Sequence, residues 1–366
     1  MTRFAFIVHP LSAKDVSKKY PLAKYLPDGM IEAFLRTKSP MLLSKITGIE
    51  SKSGAKTEGM FIGCPLTPRQ MTETMPLEQV YEKISQCCEL AAKEGAQLIG
   101  LGAFTSVVGD GGITIASRSP IAVTTGNSYT VATAIEGTIK ACEMIGIPAE
   151  HSVLAVVGAT GSIGKTCARV LSARFGRTIV VGRDEAKTKD VAEGIDTAEA
   201  TTDITRIKEA DVVITVTSTD AAIIMPEHLK PGAIVCDVAR PRDVSVRVSK
   251  ERPDVLVIEG GVVKVPGDNV NFNFRFGFPE GTAYACMSET MMLALEDRAE
   301  NFTLGNDVSV EQVEELLRLA EKHGFELAGF RSFEKAVDQA AIDRAKAARS
   351  SAAPLKGMRS ASQPSV

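Results

Sequence analysis

The stretch VVGATGSIGKT, residues 156–166, decides the architecture. It continues the β-branched run VLAVVG that begins at Val153, and it opens into TCARVLSARFG, whose apolar residues recur at helical spacing. A strand, a turn with glycines at 158, 161 and 164, and then a helix form the arrangement that binds a dinucleotide. Each glycine has a separate reason: Gly158 for a tight turn, Gly161 for close approach of backbone to a pyrophosphate, and Gly164 for close helix–strand packing. The phosphates would rest on N–H groups at the helix start, which makes Thr160, Ser162 and Ile163 cofactor-binding candidates beside the three glycines. The same letters carry a rival, because GKT at 164–166 resembles the end of a Walker A loop. That motif needs a glycine five positions before Gly164; Ala159 stands there and Gly158 is one residue too far, so the dinucleotide reading is preferred.

Downstream the texture repeats. TIVVGRD, DVVITVTSTD, AIVCDVARP and VLVIEGG are near-continuous apolar runs alternating with helical segments, as in a parallel sheet buried on both faces. The expected fold is therefore α/β, with a doubly wound Rossmann NADP-binding domain over residues 151–280. At the tip of its second strand an acid would read ribose hydroxyls, whereas an arginine accommodates a 2′-phosphate. Arg183 occupies that tip, which favours NADPH over NADH. Residues 215–220, with Thr217 and Ser218, would lie near the nicotinamide half.

Upstream, residues 1–150 read as an α/β substrate domain with a linking helix. FAFIV at 4–8 and QLIGLGAFTSVV at 97–108 are read as strands, LEQVYEKISQCCELAAKEG as a helix, and PLTPRQMTETMP as a loop. SYTVATAIEGTIKACEMIGI, from Ser128, is a helix ending at Gly146 and Pro148. Residues 281–330 carry two further helical patterns, at 283–298 and 309–323, expected to pack back between the domains. Residues 331–366 read as an extra helix and a basic tail; from Arg344 the composition of Ala, Ser, Pro and basic residues, with no acid, predicts disorder.

Composition excludes several classes. The 366 residues are 44% hydrophobic and 24% charged with a formal net charge of −3, ordinary globular material with no footprint for nucleic acid. Seven cysteines show no CxxC spacing, which argues against zinc and against a disulfide framework. The apolar run before His9 and Pro10 is too short for a signal peptide, and no stretch is long enough to span a membrane, so the cytoplasm is the expected compartment. Oligomeric state leaves no mark in the sequence.

The remaining candidates are single residues. In GTAYACMSETMM, residues 281–292, Cys286 is either a core hydrophobe or a nucleophile, and Thr282 capping a helix from Ala283 would put it where the helix dipole favours a thiolate. His9 follows a strand and is either a donor to a developing oxyanion or a histidine satisfied by backbone. Ser106 and Asn127 sit at candidate element ends, where substrate binding and capping explain them equally. Met291, Met292 and Leu293 would line an acyl tunnel or fill the core, and the core is the commoner use of that spacing.

GATGSIG, GRD, DVVITVTS, VIEGGVV, YACMSETMMLALE and NDVSVEQVEELLRLAEKHGF, with FIVHPLS, GLGAFTSVV and TTGNSYT upstream, resemble the long-chain acyl-acyl carrier protein reductases of cyanobacteria over residues 3–326. The resemblance implies NADPH-dependent reduction of a fatty acyl thioester, carried by acyl carrier protein or coenzyme A, to an aldehyde. It implies that Cys286 attacks the thioester, that the glycine turn and Arg183 hold the cofactor, and, more weakly, that His9, Ser106 and Asn127 face substrate. Mg2+ enters only as an activator, with no ligand spacing that announces it. The sequence departs from that family at Ser162, where an acid is expected, across TTGNSYTVA, and in its tail. Two other readings stand beside this one: a dehydrogenase of a small hydroxy or amino acid, laid out like shikimate dehydrogenase and without covalent catalysis, and a non-catalytic NADP-binding sensor.

Overall fold

The computed structural model describes residues 1–18, 25–219, 221–239, 241–274, 279–333 and 335–352. Asp220 and residues 353–366, which include most of the basic tail, lie outside the described residues.

The N-terminal part builds a five-stranded sheet from β1 (Phe4–Val8), β2 (Met41–Glu50), β3 (Lys56–Gly63), β4 (Leu98–Gly100) and β5 (Ala122–Thr124). Their order is β2-β3-β1-β4-β5, with only β2 antiparallel to its neighbour. Helices α1 (Asp28–Arg36), α2 (Leu77–Lys93), α3 (Phe104–Val107) and α4 (Ile113–Arg118) are threaded between the strands. The apolar stripe of α2, Val80, Ile84, Cys87, Cys88 and Ala91, is buried on Ile7, Ile62 and Ile99. Two sequence readings are corrected here. The strand read over 97–108 is only three residues long, because the chain turns at Gly102, where a Cβ would meet the Ile7 carbonyl oxygen at 2.5 Å, and at Ala103, whose φ is 47°. PLTPRQMTETMP is not a plain loop: Gln70–Thr74 winds into a π-helical turn, pinned where Gln70 Nε2 donates to Glu32 O.

Helix α5 (Asn127–Ile145) leaves the end of β5 and stops at Gly146, which adopts φ 74°. The second sheet follows, with β6 (Val153–Val157), β7 (Arg177–Val181), β8 (Ala198–Thr201), β9 (Val212–Thr215), β10 (Ile234–Asp237) and β11 (Leu256–Glu259). All six are parallel, in the order β11-β10-β9-β6-β7-β8. This is the doubly wound order of a Rossmann sheet, whose switch point lies between β6 and β9. Helices α6 (Ser162–Ser172), α7 (Glu185–Glu193) and α8 (Val246–Glu251) serve as crossovers and edge cover. The edge strand β8, sequence AEAT, has no β-branched run, which is why its apolar pattern is silent.

Past β11 a small antiparallel sheet forms from β12 (Val262–Lys264), β13 (Thr282–Tyr284) and β14 (Glu326–Leu327). Strand β13 runs directly into α9 (Ala285–Leu295), and α10 (Val310–His323) begins at Ser309 with a capping box to Gln312. Thr282 therefore does not cap a helix; it lies in β13 and its hydroxyl donates to Pro279 O. Met291, Met292 and Leu293 of α9 are fully buried and belong to the core. One continuous apolar core joins Phe4, Phe6 and Phe61 of the first sheet, through Tyr129 and Met291, to Leu154, Val156 and Ile214 of the second. Helix α9 packs on β1, β3 and β4 of the first sheet, α5 on β9 and β10 of the second, and the two helices pack on each other. The disorder expected from Arg344 is corrected as far as Ala352: α11 (Gln339–Ala352) is helical, buries Ile342 and Ala345, and pairs Arg349 with the carboxylate of Asp211 at 2.9 Å. Burial of those two side chains outweighs the polar composition around them. Among the described residues no helix is long and apolar enough to cross a membrane.

Candidate functional site

The carboxyl end of edge strand β5 in the first sheet meets that of central strand β6 in the second, where α5 and α6 begin. In open α/β sheets ligands bind at that edge. At the end of β6 the three glycines behave as their spacing predicts. Gly158 has φ 81°, and a Cβ there would stand 2.7 Å from the Val216 carbonyl oxygen at the end of β9. Gly161 is the N-cap of α6, and a Cβ on Gly164 would collide with the Gly158 carbonyl. The turn is a cradle with no side chain in the way of a pyrophosphate, and the first N–H groups of α6 have no intrahelical acceptor. A dinucleotide fits it. Thr160 packs its methyl toward Gly182, while Ser162 and Ile163 open the helix.

Lys165 and Thr166 have other duties than a Walker A loop requires. Lys165 Nζ pairs with Asp307 at 2.6 Å, and Thr166 Oγ1 donates to Ser162 O and Val308 O. Asp307 and Val308 belong to a strap, residues 302–309, laid across the start of α6. At the tip of β7, Arg183 is exposed. The acids beside it are committed: Asp184 caps α7 by accepting from Lys187 N, and Glu185 pairs with Lys189. Thr217 is less available than its position suggests. Its hydroxyl and its N–H both donate to the buried carboxylate of Asp243, so it ties down the turn after β9 and leaves exposed Ser218 as the outward group.

The second turn lies at the end of β5, in TTGNSYT. Gly126 has φ 77°, and a Cβ there would fall on the Cα and Cβ of Cys286. Asn127, next in the chain, donates from Nδ2 to Ser162 Oγ at 3.2 Å. Cys286, Asn127 and the cofactor turn are therefore brought together by two direct contacts. Cys286 is the second residue of α9, where the helix dipole favours negative charge. It is half-buried, whereas Cys64, Cys87, Cys88, Cys142, Cys167 and Cys236 are buried. Burial pushes the thiols of Cys88 and Cys142 up to about 12.

His9 and Ser106 form a separate group at the ends of β1 and β4. The Nδ1 of His9 lies 3.0 Å from Pro10 O and its Nε2 accepts from Phe104 N at 3.2 Å, so both ring nitrogens face backbone and the ring is neutral. Burial lowers its pKa. Ser106 Oγ donates to Ala103 O within the same turn.

Sequence reasoning missed Glu289. It is fully buried on α9, one turn beyond Cys286, and its carboxylate accepts from Thr124 Oγ1, from Thr303 Oγ1 at 2.7 Å and from Tyr129 N at 2.9 Å. Desolvation raises its pKa, against hydrogen bonds that pull it down, one of them from the backbone of Gly126. The signal was present: Glu289 is the single charged residue of ACMSETMMLAL. Among the described residues no three His, Cys, Asp or Glu side chains gather as metal ligands.

The chain is similar to several known proteins. The family model for shikimate / quinate 5-dehydrogenase matches residues 143–259, the span of the second sheet. The long-chain acyl-[acyl-carrier-protein] reductase of Synechococcus elongatus is 26% identical over 341 residues, covering 88% of this chain and 98% of that protein. This chain resembles the acyl-carrier-protein reductases. Aminotransferase PigE of a Serratia species is 30% identical over 355 residues, 92% of this chain but 41% of that protein, so the chain spans well under half of that relative. Among solved structures, L-tryptophan dehydrogenase from Nostoc punctiforme aligns over 96% of this chain and 88% of its own, at 12% identity and a TM-score of 0.41. The second sheet is a Rossmann-type domain, and the family model that matches it is that of a nicotinamide-dependent dehydrogenase.

Proposed function

We propose that the protein reduces a fatty acyl thioester, presented by acyl carrier protein or coenzyme A, to an aldehyde with NADPH, through an acyl group held on Cys286. The observation that supports this most is the chain of contacts from Cys286 through Gly126 and Asn127 to Ser162 in the glycine turn. The likeness to an acyl-carrier-protein reductase over nearly its whole length supports the substrate class.

The thiolate of Cys286 attacks the carbonyl carbon; a C–S bond to the enzyme forms, the C–S bond to the carrier breaks, and the carrier thiolate leaves to take a proton from water. Covalent capture holds the carbonyl in place after the carrier has gone. When bound, NADPH supplies the hydride that turns the acyl carbonyl into an aldehyde. The sulfur of Cys286 leaves as thiolate, favoured by the start of α9, and the enzyme is restored. Exposed Arg183 reads the 2′-phosphate, and Gly158, Gly161 and Gly164 give the pyrophosphate access to backbone N–H groups. Aldehyde formation and NADPH oxidation, followed with long-chain acyl-carrier protein and acyl-CoA, test the reading; activity with neither would overturn it.

The match of residues 143–259 to the shikimate / quinate dehydrogenase model favours one second reading, direct hydride transfer on a small hydroxy acid. It expects Cys286→Ser to retain most activity, where covalent capture expects a loss of at least about 10³-fold.

A further inference from the structure

The N-terminus of α5 has no cap of its own. Its N-cap is Gly126, which offers no side chain, although the first N–H groups of a helix need acceptors. The acceptor comes from another helix: Glu289 Oε2 takes the N–H of Tyr129, in the first turn of α5, at 2.9 Å. Its other oxygen takes the hydroxyls of Thr124, at the end of β5, and of Thr303, in the strap; Thr303 also meets Ser128 Oγ at 2.7 Å. The strap then reaches the cofactor helix through Asp307 with Lys165 and Val308 O with Thr166. One fully buried carboxylate thus joins the helix that carries Cys286, the turn that touches it, and the strap on the cofactor helix. An unpaired buried charge is costly, and here hydroxyls and helix N–H groups satisfy it in place of a cation.

We infer that Glu289 is a positioning residue, which fixes the Gly126–Asn127 turn and so sets acyl-Cys286 against the cofactor for the reduction step. This rests on the acyl-cysteine reading above. Glu289 touches neither substrate nor cofactor; it acts through the turn. Its loss separates the two half-reactions, because capture by Cys286 needs only the thiol and the start of α9, whereas reduction needs the acyl carbon held against a second ligand.

The test uses the full chain and measures three quantities: acylation of Cys286 by palmitoyl-CoA without cofactor, by intact-mass spectrometry; NADPH affinity; and single-turnover reduction of the preformed acyl-enzyme after NADPH is added. Glu289→Gln keeps the shape but presents an amide where two acceptors stood. Acylation and NADPH affinity are expected within about 3-fold of the parent, with reduction slower by about 10²-fold, the scale set by misplacement near 1 Å. Thr303→Val, which removes one donor and leaves the carboxylate, should slow reduction at least about 10-fold, the loss of one hydrogen bond to a charged group, and carries the test if Glu289→Gln does not fold. Glu296→Gln serves as a control: Glu296, just past α9, pairs with Lys322 and faces His323 away from the turn, and its reduction step should be unchanged. Reduction at the parental rate in Thr303→Val and Glu289→Gln, or equal slowing in Glu296→Gln, would overturn the inference alone. Absence of any acyl adduct in the parent protein would remove the acyl-cysteine reading and the inference with it.

Discussion

Two glycine turns open two helices at the ends of two sheets, and they are held by opposite means. Gly158, with φ 81°, follows central strand β6 and Gly126, with φ 77°, follows edge strand β5, and both approach another part of the chain too closely for a side chain. The first is held within one strand–helix–strand unit: Gly158 N donates to Val181 O at the end of β7, Gly161 N donates back to Gly158 O, and Gly164 packs on the Gly158 carbonyl. The second is held from far along the chain, by Cys286, Glu289 and Thr303. A turn stabilised locally serves a ligand common to many proteins, and one stabilised from a distance is tied to the particular group that touches it.

The sharpest way to break the comparison is Gly126→Ala. The new methyl would have to displace the backbone of Cys286 and adopt a left-handed conformation costing about 1–2 kcal/mol, so acylation and turnover should both fall by at least about 10²-fold. NADPH affinity, measured by fluorescence titration, should stay within about 2-fold. Gly164→Ala is the mirror test: NADPH affinity should weaken about 30-fold as the turn is forced open, a cost near 2 kcal/mol in the range for an overpacked site, while acylation of Cys286 without cofactor proceeds. Arg183→Ala should weaken NADPH about 10-fold and leave NADH unchanged, the loss of one exposed charge-assisted contact to phosphate. The smallest effect is expected for Lys165→Met. Its pair with Asp307 is largely exposed on the acidic side, so stability should drop by less than about 1 kcal/mol and cofactor affinity should hold. Loss of a Walker A lysine would instead abolish nucleotide binding.

The same contrast explains what was legible in the sequence. The Rossmann sheet announced itself because β6, β7, β9, β10 and β11 are buried on both faces, and its turn carries a local glycine code. Edge strand β8 was silent because its four residues, AEAT, carry no β-branched run and none of them is buried. In the first sheet β2 was hidden by alternating polar residues and by irregular register between Leu42 and Ser44 and between Ile46 and Ile49. Cys286 was visible as a candidate, but Thr282 was given a capping role that Tyr284 and the β13 ladder preclude. Glu289 and Thr303 escaped because their meaning lies in contacts across more than a hundred residues, to Thr124 and Ser128. The tail was misread as far as Ala352 because a few buried side chains and one ion pair, Ile342, Ala345 and Arg349 with Asp211, anchor a stretch of disordered composition.

The most direct test of the account joins capture and reduction on one sulfur. The protein is incubated with palmitoyl-CoA in the absence of NADPH, digested, and read by mass spectrometry; a parallel sample receives NADPH before digestion. The account expects a palmitoyl adduct on the peptide containing Cys286 that disappears on NADPH addition with one equivalent of aldehyde released. An unmodified Cys286, or an adduct that NADPH leaves in place, would contradict it.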